Sequence, residues 1–159
     1  MAIIVRRATE NDLSALRDLQ AYPVHALVDQ HFAQQQAGQL VYAVACEEDV
    51  ILGSALLDFA SESIPPELRN MFVVPEARRR GLGRALSTWI EEQARQAGYS
   101  AVFLAVDPNN ERAVPLYVSL EYHPTGEHLF VDNPEVQQVP DESQASTHYA
   151  VYKKSLTAR

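Results

Sequence analysis

Residues 70–84 read NMFVVPEARRRGLGR, and no other stretch restricts the fold as much. Met71, Phe72, Val73 and Val74 form a short apolar run that Pro75 stops, as at the end of a strand. Beyond a basic, glycine-containing turn, Leu82, Leu86, Trp89, Ile90, Ala94 and Ala97 recur at helical spacing. Arg78, Arg79 and Arg80 therefore stand beside Gly81 and Gly83 where a strand hands over to a helix. The first turn of a helix offers free N–H groups and the positive end of the helix dipole. With glycines that let a backbone approach closely, this predicts a cradle for a phosphate-bearing ligand.

Other readings of the stretch are available. An arginine run is commonly a solvated face, and Gly81 can serve as a turn residue alone. The P-loop pattern G-x-x-x-x-G-K-[ST] fails because no lysine lies near. The dinucleotide pattern G-x-G-x-x-G would require glycine at Leu86 and a shorter gap after the strand, although Asp107 stands roughly where a ribose-binding acid would.

Arg78-x-x-Gly81-x-Gly83 after a strand ending Val-Val-Pro resembles the acyl-CoA signature of the GCN5-related N-acetyltransferases, the GNAT superfamily. A second signature of that family, N-x-x-A-x-x-L-Y-x-x-x-G-F, is matched downstream by Asn110, Ala113, Leu116 and Tyr117. Glu121 and Tyr122 replace its final Gly-Phe, a departure that affects a turn more than the chemistry. The two motifs span about residues 68 to 126.

The resemblance implies a mixed α/β fold: a mostly antiparallel sheet of six to seven strands with a splayed parallel pair, flanked by about four helices. It also implies acetyl-CoA as cosubstrate, with no metal, and direct transfer of the acetyl group to a primary amine. In that scheme the N–H groups of Arg79, Arg80, Gly81, Leu82, Gly83 and Arg84 take the pyrophosphate, with help from the arginine side chains, Arg78 included. The backbone of Met71, Phe72 and Val73 pairs with the pantetheine arm, and the Val73 N–H polarises the thioester carbonyl. Asn110 belongs to the same cofactor-binding set. Tyr117 is the general acid for the leaving thiolate, and Glu67, 14 residues before Gly81, is the candidate base. Ala105 occupies the other position where relatives carry a glutamate and cannot serve; Glu62 and His123 are fallbacks acting through water. The alternative from another class is a non-catalytic CoA-binding or regulatory module, against which Tyr117 argues. A dinucleotide-dependent oxidoreductase ranks third.

At 159 residues, 47% of them apolar, one soluble globular domain is expected. No apolar run approaches the ~20 residues of a membrane span, and Met1-Ala2-Ile3-Ile4 leads straight into charged residues, which argues against a signal peptide. With Cys46 the only cysteine, an internal disulfide is impossible and a cytoplasmic location is the economical inference. Cys46 itself reads as a buried small hydrophobe. A net charge of −8 counts against nucleic acid as partner. Between Arg17 and Arg69 there are eight carboxylates and no Lys or Arg, and between Arg112 and Lys153 six and none. Basic charge gathers at the cradle, so the acceptor amine is expected to be a cation bound among carboxylates. Homodimerisation is left open.

In chain order, residues 2–7 read as a strand. Thr9 with Asp12 then resembles a helix start, and that helix runs to about Ala21. Pro23 interrupts, and residues 24–36 form a second helix ended by Gly38. In the GNAT arrangement these helices line the acceptor side. His25 and His31, six apart, do not share a helical face, which argues against metal ligation. Residues 39–46 and 50–59 form a hairpin, 67–74 the strand before the cradle, and 101–106 a strand covered on both faces. Asn109 or Asn110 caps the next helix. Residues 122–131 and 148–155 form a closing antiparallel pair, and 132–147 between them are either a substrate lid or disordered.

Overall fold

The computed structural model describes residues 2–19, 24–130 and 148–156. Ala21, Pro23, Val131 and the segment 132–147 lie outside the described residues. The strands are β1 (Ile3–Arg7), β2 (Leu40–Glu47), β3 (Val50–Asp58), β4 (Glu67–Val73), β5 (Ala101–Val106), β6 (His123–Phe130) and β7 (His148–Ser155). The helices are α1 (Leu13–Leu19), α2 (Val28–Gln36), α3 (Leu82–Gln96) and α4 (Ala113–Ser119). The sheet order is β1-β2-β3-β4-β5-β7-β6, with β4 and β5 the parallel pair and every other neighbour antiparallel. This is the mixed, mostly antiparallel sheet with flanking helices that the motifs imply.

Strand β2 shows why the sheet is a central layer. Val41, Ala43 and Ala45 face a core built on α3, through Leu82, Leu86, Ile90 and Ala94. Leu40, Tyr42, Val44 and Cys46 face the opposite core, with Leu16 of α1 and Val28 of α2. Successive side chains of a strand point to opposite faces, so burial of the whole run requires cover on both sides. Burial also pushes the Cys46 thiol above its ordinary value, as an inert core cysteine requires.

Local signals define most element ends. The Thr9 N–H donates to Asp12 Oδ2 at 2.7 Å, but this box opens a 3-10 turn, Glu10–Asp12, before α1 begins at Leu13. Arg6 donates to the same carboxylate at 2.8 Å and holds Asp12 below the usual carboxylate range, so the motif also ties α1 to β1. Residues 24–27 likewise form a 3-10 turn ahead of α2. Strand β2 runs one residue further than its apolar pattern suggests, because Glu47 pairs with both Ile3 and Val50. Among the described residues no helix is long and apolar enough to cross a membrane.

Candidate active site

The site begins with a separation of strands. Glu67↔Phe103 is the register pair between β4 and β5, reinforced by Phe103 N–H donating to Pro66 O at 3.0 Å. Beyond that point β4 follows β3 and β5 follows β7 along its full length. The parallel strands therefore diverge toward their C-terminal ends. Strand β4 also carries a bulge: Ser54↔Phe72 and Leu56↔Arg69 set three steps of β4 against two of β3. Asn70 takes up the extra residue with a left-handed φ of 56°. Opposite the bulge, a Cβ on Gly53 would stand 2.8 Å from Phe72 O, so the close approach there requires glycine.

Hydrogen bonding sets which backbone groups face the gap. Val74 N–H donates to Leu52 O at 2.9 Å, and alternation along the strand turns the Val73 N–H away from β3. Phe72 faces β3, where it pairs with Ser54, so Met71 and Val73 carry the open edge. Arg78 Nε donates to Val73 O at 3.1 Å and fixes that peptide from the other side.

The chain then reaches α3 through Arg79 (φ 68°) and Gly81 (φ 87°), both in the left-handed region. The first intrahelical bond is Ala85 N–H to Gly81 O at 2.9 Å, which leaves the preceding N–H groups of Leu82, Gly83 and Arg84 at the helix start. A Cβ built on Gly81 meets nothing within 4 Å, so the space above this turn is open. Gly83 instead lies over Leu116 and the Met71 sulfur, each 3.6 Å from where its Cβ would be. The arginine run divides. Arg78 braces β4 and Arg80 pairs with Glu47, while Arg79 and Arg84 are exposed.

A cavity of about 690 Å³ fills the space between the splayed strands, the start of α4 and one face of α2. Glu67, Met71, Ala105, Asp107, Asn110 and Tyr117 line it together. The Asn110 side chain accepts from the N–H groups of Arg112 (3.1 Å) and Ala113 (2.9 Å), so it caps α4 at the cavity wall. Tyr117, four residues into α4, stacks edge-on against Tyr122 with centroids 6.0 Å apart. Its hydroxyl has no hydrogen-bond partner among the described residues, and burial pushes its pKa up to about 12. Glu62 and His123 are exposed and do not line the cavity.

Sequence reasoning missed several groups here. Asp58 and Arg69 form an ion pair at 3.2 Å beside the bulge, across strands whose registry no spacing reveals. Tyr122, in place of the motif's Phe, donates to Glu91 Oε2 at 3.0 Å, and Lys154 donates to Oε1 at 3.0 Å. Burial and then the Glu91 carboxylate raise the Tyr122 pKa, so this phenol stays neutral. The α2 side of the cavity carries Leu27 of the preceding 3-10 turn and then Gln30, His31 and Gln34 of α2, at helical spacing. His31 is buried edge-on against Tyr42, at 5.8 Å between rings.

A phosphate-ready helix start at the mouth of a gap between splayed parallel strands defines an acyltransferase fold. The profile of the Acetyltransferase (GNAT) family matches residues 8–122, and the chain belongs to that family. It is 31% identical over 88 residues to the uncharacterized N-acetyltransferase YjgM of Escherichia coli, covering 55% of this chain and 53% of that protein. It is 33% identical over 76 residues to the IAA acetyltransferase of Azospirillum brasilense, covering 48% and 50%. The chain thus matches about half the length of these curated relatives. The fold is also that of yncA from Salmonella typhimurium, solved with its cofactor acetyl-CoA, at a TM-score of 0.72 and 17% identity over 100% of this chain and 96% of that one.

Proposed function

We propose that this chain is an acetyl-CoA-dependent N-acetyltransferase that moves an acetyl group to a primary amine by direct attack. The observation that carries the reading is the convergence of the open β4 edge, Glu67 and the unpartnered Tyr117 hydroxyl on one cavity. The residues present fit the cosubstrate: free N–H groups at the α3 start suit a pyrophosphate, and the Met71 and Val73 edge suits an amide-bearing arm. When bound, acetyl-CoA supplies an acetyl group activated as a thioester.

The Val73 N–H, on the open edge of β4, polarises the acetyl carbonyl as negative charge develops on its oxygen. Glu67 accepts the proton that the attacking ammonium must lose, directly or through water. Tyr117 keeps its proton at neutral pH and delivers it from Oη to the departing sulfur. One N–C bond forms and one C–S bond breaks; nitrogen loses two protons between ammonium and amide, one leaving through Glu67 and the other replacing, on Tyr117, the proton given to sulfur. The acceptor is a cationic amine, drawn by the Glu67 and Asp107 carboxylates that line the cavity. A screen of primary amines for thiol release from acetyl-CoA tests the reading. Release that depends on an amine supports it, and release with no amine in a broad panel overturns it.

A further inference from the structure

Tyr117 stands on a helix with little to hold its direction. Helix α4 has seven residues, and none of its side chains is fully buried. A helix this short is marginal alone, so its direction depends on what fixes its ends. Full burial begins just past its C-terminal end, at Leu120 and Tyr122. There the chain turns through two nested bonds, Glu121 N–H to Val118 O and Tyr122 N–H to Tyr117 O, each 3.0 Å. The turn holds Glu121 in the left-handed region at φ 74°, where glycine is the usual residue and a side chain adds strain. The next side chain is fixed at its far end. Tyr122 Oη donates to Glu91 Oε2 of α3 at 3.0 Å, and Lys154 Nζ of β7 donates to Oε1 at 3.0 Å. One buried carboxylate thus ties the end of α4 to α3 and β7, and the tied ring is the one that meets Tyr117 edge-on.

We propose that Tyr122 is a positioning residue for Tyr117: its hydroxyl, bonded to the Glu91–Lys154 pair, pins the strained end of α4 and so aims the proton donor at the departing sulfur. The inference rests on the acetyl-transfer reading above. Tyr122, Glu91 and Lys154 do not line the cavity, so any effect they have on the reaction passes through Tyr117. A buried ion pair adds little net stability compared with apolar side chains of the same shape, but it fixes geometry where its hydrogen bonds are complete. Phenylalanine at 122, as in the motif, would supply the same ring without the bond. Glu121-Tyr122 is then a paired departure from Gly-Phe: the residue that strains the turn comes with the hydroxyl that restrains it. The hydroxyl should therefore matter while Glu121 is present and matter little once glycine relaxes the turn.

The test measures kcat and acetyl-CoA KM by thiol release, per folded enzyme, in Tyr122→Phe and in the double variant Glu121→Gly with Tyr122→Phe. Tyr122→Phe should lose about tenfold in kcat with acetyl-CoA KM within about twofold of wild type. The double variant should recover to within about threefold of wild type. In a Tyr117→Phe background, Tyr122→Phe should cost less than about twofold more, because the donor it aims is gone. A merely structural loss would be the same in both backgrounds. An unchanged kcat in Tyr122→Phe, an equal loss in both backgrounds, or no recovery with Glu121→Gly would overturn the role and leave acetyl transfer standing. Hydrogen exchange of the amides of residues 117–122 reads the anchor without turnover, and it should be about tenfold faster in Tyr122→Phe and slow again in the double variant. If no amine releases thiol, the transfer reading and the aiming of a donor fall together. Exchange that speeds and recovers in that case would keep the anchor, and unchanged exchange would sink it too.

Discussion

Replacing Tyr117 with Phe removes one oxygen atom from the centre of the proposed chemistry. The ring and its edge-on contact with Tyr122 remain, and the lost hydroxyl has no partner among the described residues to leave behind. Stability should therefore change by less than about 1 kcal/mol, since no intramolecular hydrogen bond is broken. Catalysis should change far more. Burial lifts the phenol from 10.0 to about 12, so it carries its proton at every ordinary assay pH. Positioned acid catalysis is worth roughly 10²–10⁴-fold, or about 2.7–5.5 kcal/mol of barrier. The assay is kcat by thiol release from pH 7 to 10, with acetyl-CoA affinity measured separately by calorimetry. The wild-type profile should show no loss of the acid form across that range. The variant should lose roughly 10²–10⁴-fold in kcat while acetyl-CoA affinity holds. A variant within threefold of wild type, or one whose acetyl-CoA affinity falls in step with kcat, would refute Tyr117 as the donor.

Three further outcomes are expected. Gly81→Asp puts a carboxylate in open space above the helix start, at φ 87°, and acetyl-CoA affinity by calorimetry should fall by well over tenfold (roughly 1.4 kcal/mol or more) in a folded protein. Glu67→Gln should raise KM for a cationic acceptor and leave KM for acetyl-CoA unchanged, and salt should weaken the wild-type preference as the screening length shrinks. Alkaline stability should reflect Tyr117. Its folded value exceeds its unfolded one, so its contribution is intact below about pH 10 and lost as pH rises to about 12, by on the order of 2.7 kcal/mol; denaturant titration should find the alkaline loss smaller by about that amount in Tyr117→Phe, the part due to the raised Tyr122 remaining.

What the chain discloses before folding follows from how local each cause is. Leu82, Leu86, Ile90 and Ala94 are buried as their period requires, because one helix face meets one sheet face. The Thr9–Asp12 box and the Asn110 cap are short-range devices, legible because the partners lie within three residues. Glu91 is the opposite case. It lies on the buried side of α3, where a carboxylate is unfavourable, and its partners Tyr122 and Lys154 lie 31 and 63 residues away. The bulge at Asn70 is hidden for a similar reason, since only the register with β3 reveals the extra residue. The arginines illustrate a mixed outcome. Their place beside the helix start is visible in the motif, but the attachments of Arg78 to Val73 and Arg80 to Glu47 depend on tertiary contacts.

The central claim is acetyl transfer to nitrogen, and the most direct measurement follows both products at once. Wild-type protein is incubated with acetyl-CoA and a primary amine while free thiol is titrated and the amine is weighed by mass spectrometry. The account predicts one N-acetylated amine for each thiol released, with both signals falling together in Tyr117→Phe. Thiol released with acetate formed and the amine unmodified would contradict it, since the same cavity would then be delivering the acetyl group to water.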